Sequence, residues 1–337
     1  MADAPQQIWQ PRHNPWLITV SVMMAVFMEV LDTSIANIAL PHIAGSLSAT
    51  PEEATWVLTS YLVSNAIILP MTGWLGNYFG RKRVLISCIV MFTFASALCG
   101  LAWDLPTLVI ARILQGFGGG AMVPIAQAIM LESFPPQKRG AAMAVFAQGV
   151  VVAPILGPTI GGWITDNYSW RWIFYINLPV GTLAFFLCWA TVQDPEYLRD
   201  ARKALRKGPM NFDSIGLGLL VITLVCWEVL LSKGQEWDWL GDAFGRVQTL
   251  VILFILGGCG LVFWETRQAN PIVNFQPLRD RNFAISCLII FCCFGVLYGS
   301  STLLPSMLES LFGYDAFHAG LVLSPAGIFT IMAIIIV

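Results

Sequence analysis

Charged side chains are scarce in this sequence: they make up 11% of its 337 residues, whereas hydrophobic residues make up 57%. An ordinary soluble domain has about 25% charged residues. The formal net charge of -2 also provides no excess of cations for binding phosphates. The composition therefore predicts an integral membrane protein and excludes a nucleic-acid-binding one.

Histidine is rare, and cysteine has no pattern that builds a metal site. The three histidines, His13, His42 and His318, are far apart, and the eight cysteines all lie within apolar runs without a Cys-x-x-Cys pair. We expect no disulfide, metal or histidine base. The N-terminus also lacks the basic run and short apolar core of a signal peptide, so the first apolar segment is expected to remain as a membrane anchor.

Long apolar segments are abundant. A helix needs about 20 apolar residues to cross roughly 30 Å of hydrocarbon. This rule predicts nine spans, at 16–40, 54–76, 84–103, 107–131, 141–164, 172–192, 214–231, 247–264 and 283–304. A tenth begins near 318 and is still apolar at Val337, so we expect the sequence to be part of a longer protein.

The eighteen basic residues are distributed unevenly between the predicted loops. Fourteen fall on the side of the N-terminus, and only three, Arg171, Lys233 and Arg246, fall on the other. Because short cytoplasmic loops carry the excess of lysine and arginine, the N-terminus is predicted to be cytoplasmic. The remaining one, Arg112, lies inside the fourth span, where a guanidinium is costly and usually functional.

Acidic residues inside the spans are equally unusual. Glu29 and Asp32 stand three residues apart in FMEVLDTSIANIALP, and they share one helical face with Asn37. Since burying charge in lipid is costly, that face is expected to point into a helix bundle. Positions along the helices predict that Asp32 pairs with Arg112 and that Glu29 lies further away. Glu228, inside the seventh span, is a weaker candidate.

Glycine and proline form motifs within and between these spans. The turn GWLGNYFGRKRVL contains Gly73, Gly76 and Gly80, which permit close backbone approach. In ARILQGFGGG, Arg112 and Gln115 share a face beside glycines that admit a neighbouring helix. GVVVAPILGPTIGGW predicts a kinked helix with a stripe of small residues. Its motif residues are Gly149, Pro154, Gly157, Pro158, Gly161 and Gly162.

These motifs resemble signatures of the major facilitator superfamily. The first is similar to its loop signature, with Arg81 retained but Asn77 at the acidic position, which implies a weaker cytoplasmic latch or one that depends on Asn77 and Arg81. The second resembles its fourth-helix signature, and the third resembles the fifth-helix signature of its antiporters. LDTSIANIALP is similar to the first-helix signature of the fourteen-helix drug:proton antiporter branch, the EmrB/QacA type, on its EmrB-like side.

The resemblance implies an all-α integral membrane protein with the superfamily fold. Its expected parts are a six-helix N-terminal bundle (1–192), a cytoplasmic linker (193–213), two intervening transmembrane helices (214–264) and the start of an incomplete C-terminal bundle (265–337). It also implies the inner (plasma) membrane, lipids and small lipophilic substrates as partners, and the periplasmic adaptor and outer-membrane channel of EmrB-like proteins. Without the remaining helices, this part of the protein is not expected to transport.

The predicted function is export of lipophilic, cationic or uncoupler-like compounds, driven by the proton gradient without a cofactor. Glu29, Asp32 and Arg112 would couple proton uptake to export, and the candidate substrate contacts are Asn37, Gln115 and Glu228. A purely structural ion pair and an exporter of a specific metabolite, lipid or siderophore stay open, because fold does not fix substrate. A channel or an intramembrane enzyme is disfavoured, since no selectivity filter or nucleophile with a base is evident.

Overall fold

The computed structural model describes residues 11–207, 213–242, 244–268, 271–315, 318, 319, 321, 322, 325 and 329. Every regular element in this part of the chain is helical. The α-helices, numbered along the chain, are α1 (Pro15–Ser46), α2 (Pro51–Ala54), α3 (Trp56–Phe79), α4 (Arg81–Leu101), α5 (Leu105–Gly119), α6 (Met122–Ser133), α7 (Arg139–Asn167), α8 (Trp172–Tyr175), α9 (Asn177–Thr191), α10 (Glu196–Lys207), α11 (Ser214–Lys233), α12 (Arg246–Glu265) and α13 (Arg281–Phe312). Short 3-10 turns occupy Pro136–Lys138, Trp239–Gly241 and Gln276–Arg279.

Nine helical stretches within the described ranges are long and apolar enough to cross a membrane. Each corresponds to one of the nine predicted spans, so the all-α membrane fold is confirmed. The tenth span, predicted from about residue 318, lies mostly outside the described residues.

The span limits differ from prediction where glycine or proline interrupts a helix. The first helix passes through Pro41 and ends at Ser46 instead of residue 40. Proline is tolerated inside a membrane helix because neighbouring groups satisfy the freed backbone atoms. The fourth span is two helices, since α5 ends at Gly119 and α6 begins at Met122.

Several helices begin at side chains that accept the first free backbone N–H groups. Asn14 accepts from the Trp16 N–H at the start of α1, and Asp104 accepts from the Thr107 N–H at the start of α5. Thr50 and Glu53 form a reciprocal capping box around α2. Hydrogen bonds to the exposed Asp104 carboxylate lower its pKa. These caps fix where the chain turns at the ends of the spans.

The helices α1 to α9 form one bundle, with α1 near its centre. The two helices that contact α1 most extensively are α7 and α9, while α4 packs against α5 and α9. Buried residues such as Val22, Ala25 and Ile35 line this core. The hairpin of α11 and α12 packs against α3, where the Thr59 and Ser232 hydroxyls lie 3.0 Å apart, and α13 contacts α1 and α7.

The predicted linker at 193–213 contains the regular helix α10, and residues 208–212 of it lie outside the described residues. This helix packs against α3. The division of the chain at residues 192, 213 and 264 stays a prediction, although the helix ends fall close to these positions.

Candidate functional site

A buried ion pair joins α1 to α5. The Arg112 Nη1 atom lies 2.6 Å from Asp32 Oδ2, and the side chains of the two residues are 0% and 1% exposed. The contact predicted between Asp32 and Arg112 is therefore present. Because a charged side chain is costly to bury alone, each residue depends on the other for its place in the core.

The second oxygen of Asp32 accepts hydrogen bonds from two amide side chains. Gln115 Nε2 donates to Asp32 Oδ1 at 3.0 Å, and Asn177 Nδ2 donates to the same atom at 2.6 Å. Asn177 also donates to the hydroxyl of Ser96 at 3.0 Å, and Ser96 in turn donates to the Phe174 carbonyl. The Asp32 carboxylate is thus held by groups from α5 and α9 as well as by its ion pair.

The Arg112 guanidinium makes contacts that a simple ammonium group would not reproduce. Its Nε atom donates to the Val57 carbonyl at 3.0 Å, and its Nη1 atom donates to Gln115 Oε1 at 2.8 Å as well as to Asp32. Within the described residues, Nη2 has no hydrogen-bond acceptor. Instead the guanidinium lies over the Tyr61 ring, 4.3 Å from its centroid, which provides a cation–π contact.

Glu29 lies one helical turn from Asp32 and has a different environment. The Tyr61 hydroxyl donates to Glu29 Oε1 at 2.8 Å, and Asn65 Nδ2 donates to the same oxygen at 3.0 Å. Tyr61 therefore connects the two acids, since its ring contacts Arg112 and its hydroxyl binds Glu29. Asp32, and not Glu29, forms the ion pair.

Apart from Gln115, the neutral members of this cluster were not singled out from the sequence. They are Tyr61, Asn65, Ser96 and Asn177. The signal was available, because a polar side chain in an apolar run marks a position facing the bundle interior. Asn177 interrupts WRWIFYINLPVG, and Asn65 interrupts SYLVSNAIILP.

The three candidate substrate contacts lie in different places. Gln115 is fully buried and committed to Asp32 and Arg112. Asn37 is half-buried on α1, and Glu228 is half-buried on α11, outside the α1–α9 bundle. Of the three, Gln115 is the one with described hydrogen bonds to the charged cluster.

The helix α7, which contains Pro154 and Pro158, packs closely against α1 beside this cluster. Proline has no backbone N–H, so Pro158 leaves the Pro154 carbonyl without its partner in the helix. The Ser34 hydroxyl donates to that carbonyl at 2.8 Å. A Cβ atom on Gly157 would lie 2.5 Å from the Ser34 Cβ atom, and one on Gly161 would lie 3.0 Å from Ile35 Cγ2. Glycine and proline thus set the α1–α7 contact at the turn after Asp32.

Gly149 and Gly162 complete this motif, and they differ in their surroundings. A Cβ atom on Gly149 would meet the terminal methyl group of Met23, whereas Gly162 is buried near the Thr165 hydroxyl, which donates to its carbonyl at 3.0 Å. Beside Gly149 an apolar groove of about 570 Å³ runs between α1 and α7. Its lining includes Met23, Met24 and Phe27.

The glycine-containing turn between α3 and α4 is built around a left-handed residue. Gly80 has φ 95°, a conformation that glycine adopts without steric cost. Gly76 packs against Ile125 and the stem of Arg81, whereas Gly73 and Asn77 are exposed. Arg81 forms an ion pair with Glu132 at the end of α6. Asn77 therefore contributes less to this turn than Arg81 does.

The linker supplies a carboxylate to the same turn. Asp194 Oδ1 accepts the Lys82 backbone N–H at 2.9 Å at the start of α4, where a negative charge is favourable. Arg202 of α10 donates to the Phe79 carbonyl at 2.9 Å and contacts Asp194. The Tyr197 hydroxyl donates to Glu132, and its partial desolvation together with this contact raises the pKa of Tyr197 to about 12. The sequence predicts a cytoplasmic linker here, but it does not predict these contacts with the turn.

No group of three or more histidine, cysteine, aspartate or glutamate side chains arranged for a metal ion occurs among the residues that the structure describes.

Comparison with known proteins gives a consistent result. Residues 22–337 match the Major Facilitator Superfamily. The chain is 39% identical over 316 residues to the multidrug export protein EmrB of Haemophilus influenzae, covering 94% of the chain and 60% of that protein. It is 40% identical over 311 residues to the fatty acid resistance protein FarB of Neisseria gonorrhoeae, covering 92% and 59%. The chain thus spans about 60% of the length of these relatives.

Among solved structures, the chain resembles the proton:xylose symporter XylE bound to 6-bromo-6-deoxy-D-glucose, with a TM-score of 0.63 and 16% sequence identity. The similarity covers 96% of this chain and 68% of that one. At this level of identity, the similarity establishes the fold alone.

Proposed function

The chain belongs to the major facilitator superfamily, and we propose that it exports lipophilic compounds from the cytoplasm in exchange for protons. It is a multi-pass membrane chain of a transporter family, and not an enzyme. The observation that carries the proposal is the buried cluster in which Glu29 and Asp32 stand one turn apart and only Asp32 is paired with Arg112. Acids inside a membrane bundle are costly and mark proton paths.

The two acids would have different tasks in coupling. Glu29 receives neutral donors from Tyr61 and Asn65, so a proton can neutralise it without leaving a cation unpaired. Protonation of Asp32 would instead leave Arg112 buried without its counter-ion. We assign proton exchange first to Glu29 and the response of the bundle to the Asp32–Arg112 pair. A change of charge at Glu29, which Tyr61 connects to Arg112, would shift the balance between inward-facing and outward-facing states.

The groove between α1 and α7 supports a lipophilic substrate. Its methionine and phenylalanine side chains form an adaptable apolar surface, and it lies on the helix that carries Glu29. Relatives described as a multidrug export protein and as a fatty acid resistance protein fit such a surface. Export of a fatty acid or similar lipid is therefore the second candidate function. Asn37 and Glu228 remain proposed substrate contacts.

The location and partners follow from the same proposal. We place the protein in the inner (plasma) membrane with a cytoplasmic N-terminus, because the basic residues concentrate on that side. Membrane lipids surround the apolar helices, and small molecules are the substrates. A periplasmic adaptor and an outer-membrane channel are proposed as further partners by similarity to EmrB proteins.

Proton release driven by substrate tests the coupling. The full-length protein would be placed in inside-out vesicles, and a pH-sensitive dye would report proton movement after a lipophilic cation or a fatty acid is added. Glu29→Gln keeps the size and one hydrogen-bond acceptor but removes the charge, so we expect proton release to fall at least tenfold. Asp32→Asn should abolish release, because it also leaves Arg112 unpaired.

Glu52→Gln is the matched control, since it makes the same change at an exposed position at the start of α2. Proton release in this variant should equal that of the wild type. Unchanged release in both Glu29→Gln and Asp32→Asn, with normal protein levels, would remove the proposal. Release with fatty acids but not with lipophilic cations would favour the lipid exporter.

A further inference from the structure

A second pair of acids lies outside the α1–α9 bundle, at the end of the α11–α12 hairpin. Asp213 precedes α11, and Glu265 is the last residue of α12. The Trp264 indole N–H lies 2.9 and 3.0 Å from the two carboxylate oxygens of Asp213, and the Gly216 backbone N–H donates to Asp213 at 2.8 Å. Three donor contacts therefore hold the Asp213 carboxylate in place.

Glu265 is buried beside Asp213 without such donors. The residue is 3% exposed, and neither of its carboxylate oxygens accepts a hydrogen bond within the described residues. The backbone N–H groups of Ile272 and Val273 approach the carboxylate without satisfying it. A buried polar group in this condition is unusual and requires an explanation.

Gly216 brings the two carboxylates together. Asp213 Oδ2 and Glu265 Oε1 each lie 2.6 Å from the point that a Cβ atom on Gly216 would occupy. Twice that distance is the largest separation that these two oxygens can have. Two carboxylates this close cannot both be ionised at low cost, and one proton shared between them removes the repulsion.

Among the residues that the structure describes, no basic side chain forms an ion pair with Asp213 or Glu265. Arg267 directs its guanidinium over the Phe263 ring, 3.6 Å from the centroid. The neighbouring helix α3 contains no acidic or basic residue between Trp56 and Phe79. On α11 itself, Glu228 and Lys233 lie about 20 Å or more along the helix from Asp213, at 1.5 Å per residue. Asp213 is thus the charged group that acts on Glu265.

We propose that Asp213 and Glu265 form a proton-binding site, in which Glu265 carries the proton and donates it in a hydrogen bond to Asp213. Asp213 keeps the charge because it already accepts from Trp264 and Gly216. The hydrogen bond made by the shared proton joins the beginning of α11 to the end of α12. Loss of the proton would leave two adjacent anions and separate the two helix ends. This site shares no residue with the cluster around Asp32.

Thermal unfolding of the full-length protein in detergent at a series of pH values tests this site. The native wild type would hold more protons than the unfolded chain above the ordinary carboxyl pKa, so its Tm should fall as pH rises from about 5 to 9. Glu265→Gln replaces the acid with a permanent donor, so its Tm should fall less than that of the wild type, while Glu29 contributes equally in both proteins. Asp238→Asn, in the exposed loop of the same hairpin, should retain the wild-type pH dependence.

Infrared spectroscopy provides a readout that does not depend on stability. The wild type at pH 7 should show carbonyl absorption from protonated carboxylic acids, to which Glu29 also contributes. Part of this absorption should be lost in Glu265→Gln, and the same part should decrease in Asp213→Asn, because removing the Asp213 charge favours ionisation of Glu265. Absorption of the same intensity in the wild type and in Glu265→Gln would overturn the proposal. A Tm raised by millimolar Mg²⁺ or Ca²⁺ in the wild type but not in Glu265→Gln would also overturn it, in favour of a cation site.

Discussion

At the residue scale, the Asp32–Arg112 pair is held by more than its mutual attraction. Asp32 is bound by Gln115 and Asn177, and Arg112 reaches the Val57 carbonyl and the Tyr61 ring. A buried pair is worth little compared with apolar packing, but breaking it is strongly destabilising. The geometry of the planar guanidinium therefore matters as much as its charge.

Arg112→Lys tests that geometry, because it keeps the charge and removes the fork of donors. Lysine cannot donate to Asp32, Gln115 and Val57 at once, and loss of two hydrogen bonds from a buried charge costs about 3 kcal/mol or more. We expect a clearly lower Tm and little or no substrate-driven proton release. Arg171→Lys is the matched control, since Arg171 makes a single hydrogen bond to the Ala102 carbonyl in a loop. Equal effects of the two changes would contradict the prediction.

Asp242 provides a pH-dependent test in the loop before α12. The Arg246 side chain and the backbone N–H groups of Phe244, Val247 and Arg246 bind its carboxylate, and these contacts lower its pKa from 3.8 to about 2. Because the folded-state pKa is the lower one, the resulting stability is present above about pH 4 and is lost as the pH falls towards 2. Asp242→Asn should lower the Tm at pH 7, and the difference from wild type should shrink at pH 3. The exposed Asp238→Asn should show no such effect.

The charged members of the site could be predicted from sequence, but most of its neutral members could not. Glu29, Asp32 and Arg112 stand out because charge is costly in an apolar span, and helix positions alone predicted which acid would pair. Tyr61 and Asn177 carry no charge, so burying them costs less free energy than burying a charged side chain. Many positions in a helix bundle could hold such side chains equally well. Only the packing of α3 and α9 against α1 and α5 identifies them.

At the element scale, the packing of α7 depends on its proline and glycine residues. Pro158 lacks a backbone N–H, and Gly157 lacks a Cβ atom at a point where α1 approaches closely. The sequence predicted a kinked helix with a small-residue face, and the structure adds that its partner is α1. It also corrects the end of α1, which continues for a turn and more beyond Pro41.

Alanine substitutions at two glycines of α7 should have unequal effects. Gly157→Ala would place its Cβ atom against the Ser34 side chain and 3.2 Å from the Ser34 carbonyl carbon, where backbone must move. Overpacking of this kind costs about 1–3 kcal/mol. Gly149→Ala would meet only the end of the Met23 side chain, which can rotate away. We expect a lower Tm for Gly157→Ala and a near-normal Tm for Gly149→Ala, whose effect on export would come only through the substrate groove that Gly149 and Met23 line. The reverse order would show that the observed α1–α7 contact is not the one that supports function.

At the scale of the whole molecule, the loops form two groups. In the described contacts, each loop contacts only loops of its own group. Arg81 meets Glu132, and Lys82 meets Asp194, at one end of the bundle. Arg171 meets Ala102, and Lys233 donates to the Glu52 carbonyl, at the other. Helices that alternate between these ends cross the membrane in alternating directions, which agrees with the bias of basic residues.

Cysteine labelling in intact cells would determine which end faces the cytoplasm. Glu52→Cys lies in α2, in one loop group, and Gln137→Cys lies in the exposed 3-10 turn Pro136–Lys138 of the other. Because fourteen of the eighteen basic residues fall on the N-terminal side, a membrane-impermeant maleimide should label Glu52→Cys in intact cells and Gln137→Cys only after permeabilisation. The protein with its native cysteines alone gives the background. Labelling of Gln137→Cys in intact cells would show that the topology is the opposite one. The Glu29 site would then exchange protons in the opposite direction.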